Sequence, residues 1–222
     1  MVSESPLEPT EQGLVPSEDG WFVLNARDAP WRSAPGRGAL CVFEGAVRFP
    51  QVGINLRVLA PGEPMSMYHW EADQEDFLVL DGEALLIVEG EERALRSWDF
   101  VHCPPETKHV IVGAGDGNCV LLAVGARERS SGLDWGGYTV DQTAIRHGAG
   151  VKEETTDPTG PTPASTTASP PGTARVGFRA EPGGRRYPSS DGSSNTGKSS
   201  GYPAKPVMPP TRSPSSAKTM IP

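Results

Sequence analysis

Apolar and polar residues alternate along the middle of the chain in short runs that end at turn residues. In residues 52–60, for example, Ile54 and Val58 would lie on one face of a strand and Arg57 on the other, so that one face is core and the other is not. The pair Asp81-Gly82 predicts a hairpin turn. Runs of this kind recur about every ten residues. They predict strands at 21–24, 39–43, 52–60, 77–80, 84–88, 94–95, 101–103, 110–112 and 119–124. Many short strands without a βαβ pattern predict an all-β sandwich or barrel.

The two ends of the chain lack this alternation. Residues 1–20 are polar, acidic and contain proline, which predicts disorder. Residues 27–38 predict a surface loop. Residues 141–147 begin with an aspartate that can cap a helix and are followed by a glycine, so we expect a short helix there that packs through Ile145. We assign residues 21–150 to one β-barrel domain that ends in this helix.

Residues 151–222 are rich in Pro, Ser, Gly and Thr, and their apolar residues are isolated. Such a segment cannot bury enough apolar surface to offset an ordering entropy of about 1–2 kcal/mol per residue, so we predict a disordered tail. The tail contains a letter-for-letter match to the phosphate-loop pattern at residues 192–199. That pattern needs a strand before it and a helix after it. Its proline- and serine-rich flanks favour a chance match.

Charge and cysteine content exclude several classes of protein. The chain has 222 residues and a net charge of -8, which divides into +6 after Asp157 and -14 for the rest of the chain. An acidic body does not attract nucleic acid. Three scattered cysteines in apolar runs are too few for a disulfide framework and are expected to be reduced and buried. No secretory signal and no apolar run of membrane-spanning length is present, so we expect a cytoplasmic protein that does not contact membranes.

One stretch, residues 61–82, carries the side chains with the clearest chemistry. His69 and Glu71 are two residues apart in a segment that we interpret as extended, so both side chains should leave the same face of a strand. Glu75 follows four residues after Glu71, and His109 opens a later strand. Imidazole and carboxylate groups at such spacing suit a metal ion.

The chain resembles the cupin superfamily over about residues 38–127. The first cupin motif reads G-x5-H-x-H-x(3,4)-E-x6-G, and the second contains G-D, then P-x-G and, two residues later, H. Six positions fall in register with these motifs: His69, Glu75, Gly82, Asp99, Pro104 and His109. Glu71 stands where a second histidine is usual, and Trp98 and Glu106 stand where the motif has glycine. The resemblance implies a jelly-roll β-barrel (double-stranded β-helix) of two sheets whose matched polar residues surround a divalent metal.

Four residues form the expected ligand set: His69, Glu71, Glu75 and His109. On a divalent Mn, Fe, Ni, Co or Zn ion this set would be neutral and would leave room for water or substrate. Glu75 is also the candidate catalytic residue, as a general base beside a Lewis-acidic metal, in isomerisation or enolisation. A redox-active iron would instead allow oxygen chemistry. Two alternatives stay open: a metal-free pocket, in which two facing carboxylates would raise one pKa, and a purely structural role.

Two functions of different classes follow from this set. One is a metalloenzyme that acts on a small polar molecule, carbohydrate-like molecules included. The other is a non-catalytic domain that binds such a molecule. His102 and His147 are assigned structural roles. Because the exposed edges of a single jelly roll usually pair, we expect a homodimer.

Overall fold

The computed structural model describes residues 1–34, 36–128, 135–160 and 162–164. Within these residues the chain forms thirteen β-strands and one short helix. The strands are β1 (Leu7–Thr10), β2 (Gly13–Pro16), β3 (Trp31–Ser33), β4 (Ala39–Val42), β5 (Val52–Leu59), β6 (His69–Glu71), β7 (Glu75–Asp81), β8 (Glu83–Val88), β9 (Glu91–Arg96), β10 (Phe100–Cys103), β11 (His109–Ala114), β12 (Cys119–Ala126) and β13 (Gly136–Tyr138). The helix α1 is Gln142–Arg146.

Two antiparallel sheets form the body of the fold. One has six strands in the order β10-β7-β12-β5-β4-β3, and the other has five in the order β13-β6-β11-β8-β9. Chain neighbours such as β7 and β8 lie in different sheets, so the chain crosses repeatedly from one sheet to the other. This is the two-sheet jelly roll that the motifs implied, and the all-β prediction is confirmed.

The core lies between the two sheets and is contributed by alternate residues of their strands. Phe77, Ile87, Ile111 and Leu121 are almost completely buried and belong to one apolar cluster. Strands β7 and β12 supply every second residue to this cluster, as expected where successive side chains point to opposite faces, whereas β11 supplies three consecutive residues, 110–112. His109 precedes that run on β11, so the predicted ligands lie at the border of the cluster.

Strand β5 turns its polar side chains toward the barrel interior. Arg57 pairs with Leu121 and Asn55 pairs with Ala123 on β12. Residues directly opposite each other in an antiparallel pair share a face, and Leu121 and Ala123 are buried in the core. Leu59 follows on the same interior face and is fully buried. The interior face of β5 thus begins polar and ends apolar, which alternation alone did not reveal.

Glycines make two turns of different kinds. Gly82 (φ 78°) follows β7, and a Cβ there would lie 2.4 Å from the carbonyl oxygen of Asn118. The strands on either side of it lie in different sheets, so the predicted hairpin at Asp81-Gly82 is instead a corner. A true two-residue hairpin turn joins β8 and β9, where Glu89 (φ 49°) and Gly90 (φ 79°) both have positive φ, as a type I′ turn requires.

Two non-glycine residues occupy the left-handed region at the positions where the cupin motif has glycine. Trp98 has φ 77° and Glu106 has φ 69°. Each backbone N–H is used, because Trp98 donates to the carbonyl of Val79 (2.7 Å) and Glu106 donates to the carbonyl of Glu71 (2.8 Å). The turns therefore keep the geometry of the motif although the glycines are replaced.

The N-terminal region differs from its prediction. Residues 1–20, expected to be disordered, contain the β1–β2 hairpin, which is tied to later residues by the hydrogen bond from the Leu14 N–H to the Asp28 carbonyl (2.7 Å). The expected strand at 21–24 makes only one isolated bridge, between Trp21 and Glu4. Strand β3 lies inside the expected loop at 27–38. Whether these segments form strands depends on their backbone pairing partners, which local composition does not specify.

The predicted helix is confirmed by its cap: the side chain of Asp141 accepts a hydrogen bond from the Ala144 N–H. It buries Thr143 and Ala144, whereas Ile145 is only half-buried. The first residues assigned to the tail also pack, since Val151 is fully buried and Thr155 bridges to Tyr138. The rest of the tail, with the phosphate-loop match at 192–199, lies outside the described residues. Among the described residues no helix has the length and apolarity to cross a membrane.

Candidate metal site

Two histidines from distant segments meet across neighbouring strands. His69 on β6 pairs directly with His109 on β11. Side chains at paired positions leave the same face of a sheet, so the two imidazoles stand side by side, with ring centroids 4.9 Å apart. Their side chains are only 6% and 1% exposed. The pairing of β6 with β11 therefore places both imidazoles at one point.

Backbone carbonyls fix the orientation of both rings. His69 Nδ1 lies 2.7 Å from the Met67 carbonyl oxygen and 3.1 Å from Ser66 Oγ. His109 Nδ1 lies 3.0 Å from the Thr107 carbonyl oxygen. A carbonyl oxygen can only accept a hydrogen bond, so Nδ1 carries the proton of the neutral ring and Nε2 presents its lone pair. Metal-bound histidines are commonly oriented in this way.

Glu75, at the first position of β7, completes a three-residue cluster. Its Oε2 lies 3.2 Å from His109 Nε2 and 3.6 Å from His69 Nε2. One ligand atom from each of the three residues lies within 4.8 Å of the others. Within the described part of the chain, Glu75 Oε2 and His109 Nε2 are buried and have no hydrogen-bond partner. Two buried acceptors that face each other need a cation between them.

The distances fit a transition metal. Bonds of about 2.0–2.2 Å at angles between tetrahedral and octahedral values place ligand atoms about 2.8–3.6 Å apart. The two measured separations between Glu75 Oε2 and the imidazole nitrogens lie in that range. Two imidazoles and one carboxylate also suit Mn, Fe, Co, Ni and Zn. His69, Glu75 and His109 could therefore hold such an ion with little rearrangement.

The electrostatics of the cluster also favour a positive charge. Burial would raise the pKa of Glu75, but the close contacts of its carboxylate with the imidazoles of His109 and His69 lower it, to about 2. Burial likewise lowers the pKa of His109, whereas Cys103 and Glu75 raise it, to about 10. Without a metal, the cluster thus keeps a proton between Glu75 and His109. A divalent ion would supply the same positive charge.

Glu71, the fourth predicted ligand, lies beside the cluster. Its Oε1 is 3.9 Å from His69 Nε2, and its side chain is 26% exposed. Burial and the nearby charge of Glu75 raise the pKa of Glu71 to about 8. The structure therefore brings three of the predicted ligands together and leaves Glu71 at the rim. This raised pKa is the one expected for two facing carboxylates without a metal.

An aromatic wall that sequence reasoning missed stands next to His69. The rings of Trp135 and Tyr138 lie 6.2 and 6.1 Å from the His69 imidazole and 5.2 Å from each other. Tyr138 is on β13, which pairs with β6, and Trp135 donates a hydrogen bond to the Thr156 carbonyl (2.8 Å). The short, glycine-rich β13 gave no alternation signal. Its partner strand is what brings these rings to the site.

The other candidate residues lie apart from this cluster or at its edge. His102 is 51% exposed and pairs with Asp76 (2.7 Å). His147 closes the helix and contacts Glu92 (2.9 Å). Cys103 is buried and pairs across the sheet with Glu75, which places it at the base of the cluster. These positions match the structural roles predicted for the two histidines.

The chain was compared with known proteins. Residues 55–125 match the profile of the cupin domain family, a span that includes all four predicted ligands. Residues 55–125 are therefore a cupin domain. No curated protein matches it.

Several solved structures are similar to part of this chain at low identity. A sugar phosphate isomerase of the cupin superfamily from Silicibacter pomeroyi is 24% identical over 48% of this chain and 76% of its own, with a TM-score of 0.42. The polyketide cyclase RemF from Streptomyces resistomycificus is 14% identical over 47% of this chain and 78% of its own, with a TM-score of 0.42. A predicted oxalate decarboxylase from Thermotoga maritima is 16% identical over 47% of this chain and 97% of its own, with a TM-score of 0.43.

Proposed function

We propose that this cupin domain binds one divalent transition metal and uses it to bind or transform a small polar molecule, carbohydrate-like molecules included. The observation that carries the proposal is the convergence of one ligand atom each from His69, Glu75 and His109, all within 4.8 Å of one another, at a point where both imidazoles are almost completely buried. His69, Glu75 and His109 would hold the metal, and Glu71 would be the fourth ligand. When bound, the metal would supply Lewis acidity.

The residues of the chain have separable roles in this proposal. The carbonyls of Met67 and Thr107 hold the two imidazoles in the orientation that directs Nε2 inward. Glu75 uses Oε2 for the cluster, and Oε1 would be free to take a proton from a substrate, as a general base. Trp135 and Tyr138 would exclude water on the side of His69 and offer an apolar face to a sugar-like ring.

A second candidate is a metal-free binding domain. The raised pKa of Glu71, caused by burial and by Glu75, favours it, because a neutral Glu71 would relieve the repulsion between the two carboxylates. A protonated Glu71 could donate a hydrogen bond to a polar ligand. In this case the cluster binds the ligand without turnover.

Elemental analysis of protein purified without chelator tests the proposal. We expect about one transition-metal ion per chain in the wild type and less than a tenth of that in Glu75→Ala and His109→Ala. His102→Ala is the matched control, because it removes an imidazole from the same domain at a site 51% exposed. Wild-type protein that stays metal-free after incubation with each of the five metals would contradict the proposal and favour the metal-free domain.

We further propose that the protein is a homodimer. Phe100, Leu78, Leu122 and Leu56 follow one another across four neighbouring strands on the outer face of the six-stranded sheet. Phe100 is 64% exposed, and large exposed apolar patches usually mark interaction sites. Light scattering should give twice the chain mass, and Leu122→Lys should shift it to the monomer. A monomeric wild type would contradict this assignment.

A cytoplasmic location is proposed as well. All three cysteines, Cys41, Cys103 and Cys119, are free and buried. Burial raises the pKa of Cys41 and that of Cys119 to about 11, which keeps both thiols unreactive. Fractionation of cells that express the protein would test the location, and recovery outside the cytoplasm would contradict it.

A further inference from the structure

An arginine in the barrel interior has donors that the fold does not use. Arg57 shares the interior face of β5 with Asn55. Its Nε donates to Asn55 Oδ1 (3.2 Å) and its Nη1 donates to the Met65 carbonyl (3.3 Å). Among the described residues no carboxylate lies within 4.0 Å of the guanidinium, and Nη2 makes no hydrogen bond. A guanidinium offers a planar fork of donors that fits carboxylate and phosphate groups.

The position of Arg57 relates it to the metal cluster. Glu75 lies two strands away across the six-stranded sheet and four residues along it, since Glu75 pairs with Gly125 and Arg57 with Leu121. With strands about 4.8 Å apart and residues about 3.3 Å apart, their α-carbons are separated by roughly 16 Å. This separation leaves room between the two side chains for a small ligand. The Glu75 charge nevertheless acts on Arg57, whose pKa is lowered by burial and raised by Glu75.

A second arginine approaches the same space. Arg37 precedes β4, and a Cβ on its neighbour Gly38 would lie 2.4 Å from the Val58 carbonyl oxygen, so this loop lies directly against β5. The positive charge of Arg37 lowers the pKa of Arg57, after burial, and also acts to lower that of Tyr138. Arg37 makes no ion pair with the described residues. The charges of Arg37 and Arg57 thus act on each other, and the charge of Arg37 also acts on Tyr138 of the aromatic wall.

A structural role does not account for this arrangement. The bond from Arg57 to Met65 would hold the loop that leads to β6, but a neutral donor would do the same without placing a charge in the barrel. The charges of the two guanidinium groups oppose each other, and an oxyanion bound beside them would relieve that repulsion.

We propose that Arg57 and Arg37 form an oxyanion subsite that binds a carboxylate or phosphate group of the ligand, while its other end reaches the cluster of His69, Glu75 and His109. The inference rests on the proposed function and narrows its ligand from small polar molecules to small anionic ones. Carboxylate and phosphate share the fork-like acceptor geometry that the two arginines recognise.

Calorimetric titration of the full chain with three probes tests the subsite. Malonate carries carboxylates, glycerol 3-phosphate carries a phosphate, and glycerol is the neutral control. We expect at least one anion to bind and glycerol to bind at least tenfold more weakly. Arg57→Gln should weaken anion binding by roughly tenfold or more, as expected for a lost charge-assisted hydrogen bond. Whichever of malonate and glycerol 3-phosphate binds more tightly shows whether the subsite prefers a carboxylate or a phosphate group.

Matched variants separate this inference from the proposed metal function. Arg96→Gln removes the same charge at an exposed position on β9 and should change nothing. Arg37→Gln, in a loop, should weaken anion binding at least threefold and carries the test if Arg57→Gln fails to fold. Anion binding that is absent, or equal in wild type, Arg57→Gln and Arg37→Gln, overturns the subsite even if the metal is present. Arginine-dependent binding to chelator-treated protein supports the subsite even if the metal proposal fails.

Discussion

Metal binding should stabilise the fold by an amount that can be calculated. A ligand that binds only the folded state at a free concentration of 100 times its Kd contributes about 2.7 kcal/mol. For a domain of this size each kcal/mol shifts the Tm by about 2–4 °C, so saturating metal should raise the Tm by about 5–11 °C. The three convergent ligand atoms, within 4.8 Å of one another, are the reason to expect this gain.

Replacing His109 by alanine should abolish the gain. The imidazole is 1% exposed and supplies the positive charge next to the buried Glu75 Oε2, so the metal-free variant should itself lose about 3–5 kcal/mol of stability. The diagnostic quantity is therefore the difference in Tm with and without metal, measured on the same variant. We expect that difference to fall below about 1 °C, which corresponds to less than about 0.5 kcal/mol.

The assay is differential scanning calorimetry on chelator-treated protein, titrated separately with Mn, Fe, Co, Ni and Zn salts. His102→Ala, which removes an exposed imidazole paired with Asp76, should keep the full shift. An equal shift in wild type and His109→Ala would show that metal binds elsewhere, and the reasoning from the cluster would then be wrong.

Three further predictions concern individual residues. Glu71→Gln should keep metal at the cluster but weaken its affinity about tenfold, as measured by competition with a chelating dye; unchanged affinity would remove Glu71 from the ligand set. At Trp98, where φ is 77°, the glycine variant should be more stable than the alanine variant by about 1 kcal/mol in urea unfolding, and equal stabilities would refute the strain. Burial raises the pKa of Glu44, but hydrogen bonds from Arg127 and the Phe49 N–H lower it overall. The ionised carboxylate therefore stabilises the fold above the pKa that Glu44 has in the unfolded chain, and this stabilisation is lost as the pH falls through the pKa that it has in the folded chain. Glu44→Gln should therefore cost about 1 kcal/mol at pH 7 and almost nothing near pH 3; a pH-independent cost would contradict the ion pair.

The sequence predicts several barrel strands because buried and less buried residues alternate along them. In β7 and β12 this alternation is clear, and such a pattern can be read without knowing the partner strand. The two motifs predict the cluster because a jelly roll places their strands side by side. His69 and His109 are 40 positions apart in the chain, yet they are directly paired.

Features that depend on long-range pairing were not predictable from local pattern. The β1–β2 hairpin and β13 carry weak signals and exist through their partners, so Trp135 and Tyr138 were missed. The interior direction of Arg57 also required the register with Leu121, because alternation separates two faces without saying which one is inside. The anionic ligand inferred here therefore depends on the structure rather than on the motif.

Anomalous diffraction from metal-loaded crystals tests the central claim most directly. We expect one strong peak at the absorption edge of the bound metal, about 2.0–2.3 Å from His69 Nε2, His109 Nε2 and Glu75 Oε2. No peak among these three atoms, or a peak bound only by other residues, would contradict it.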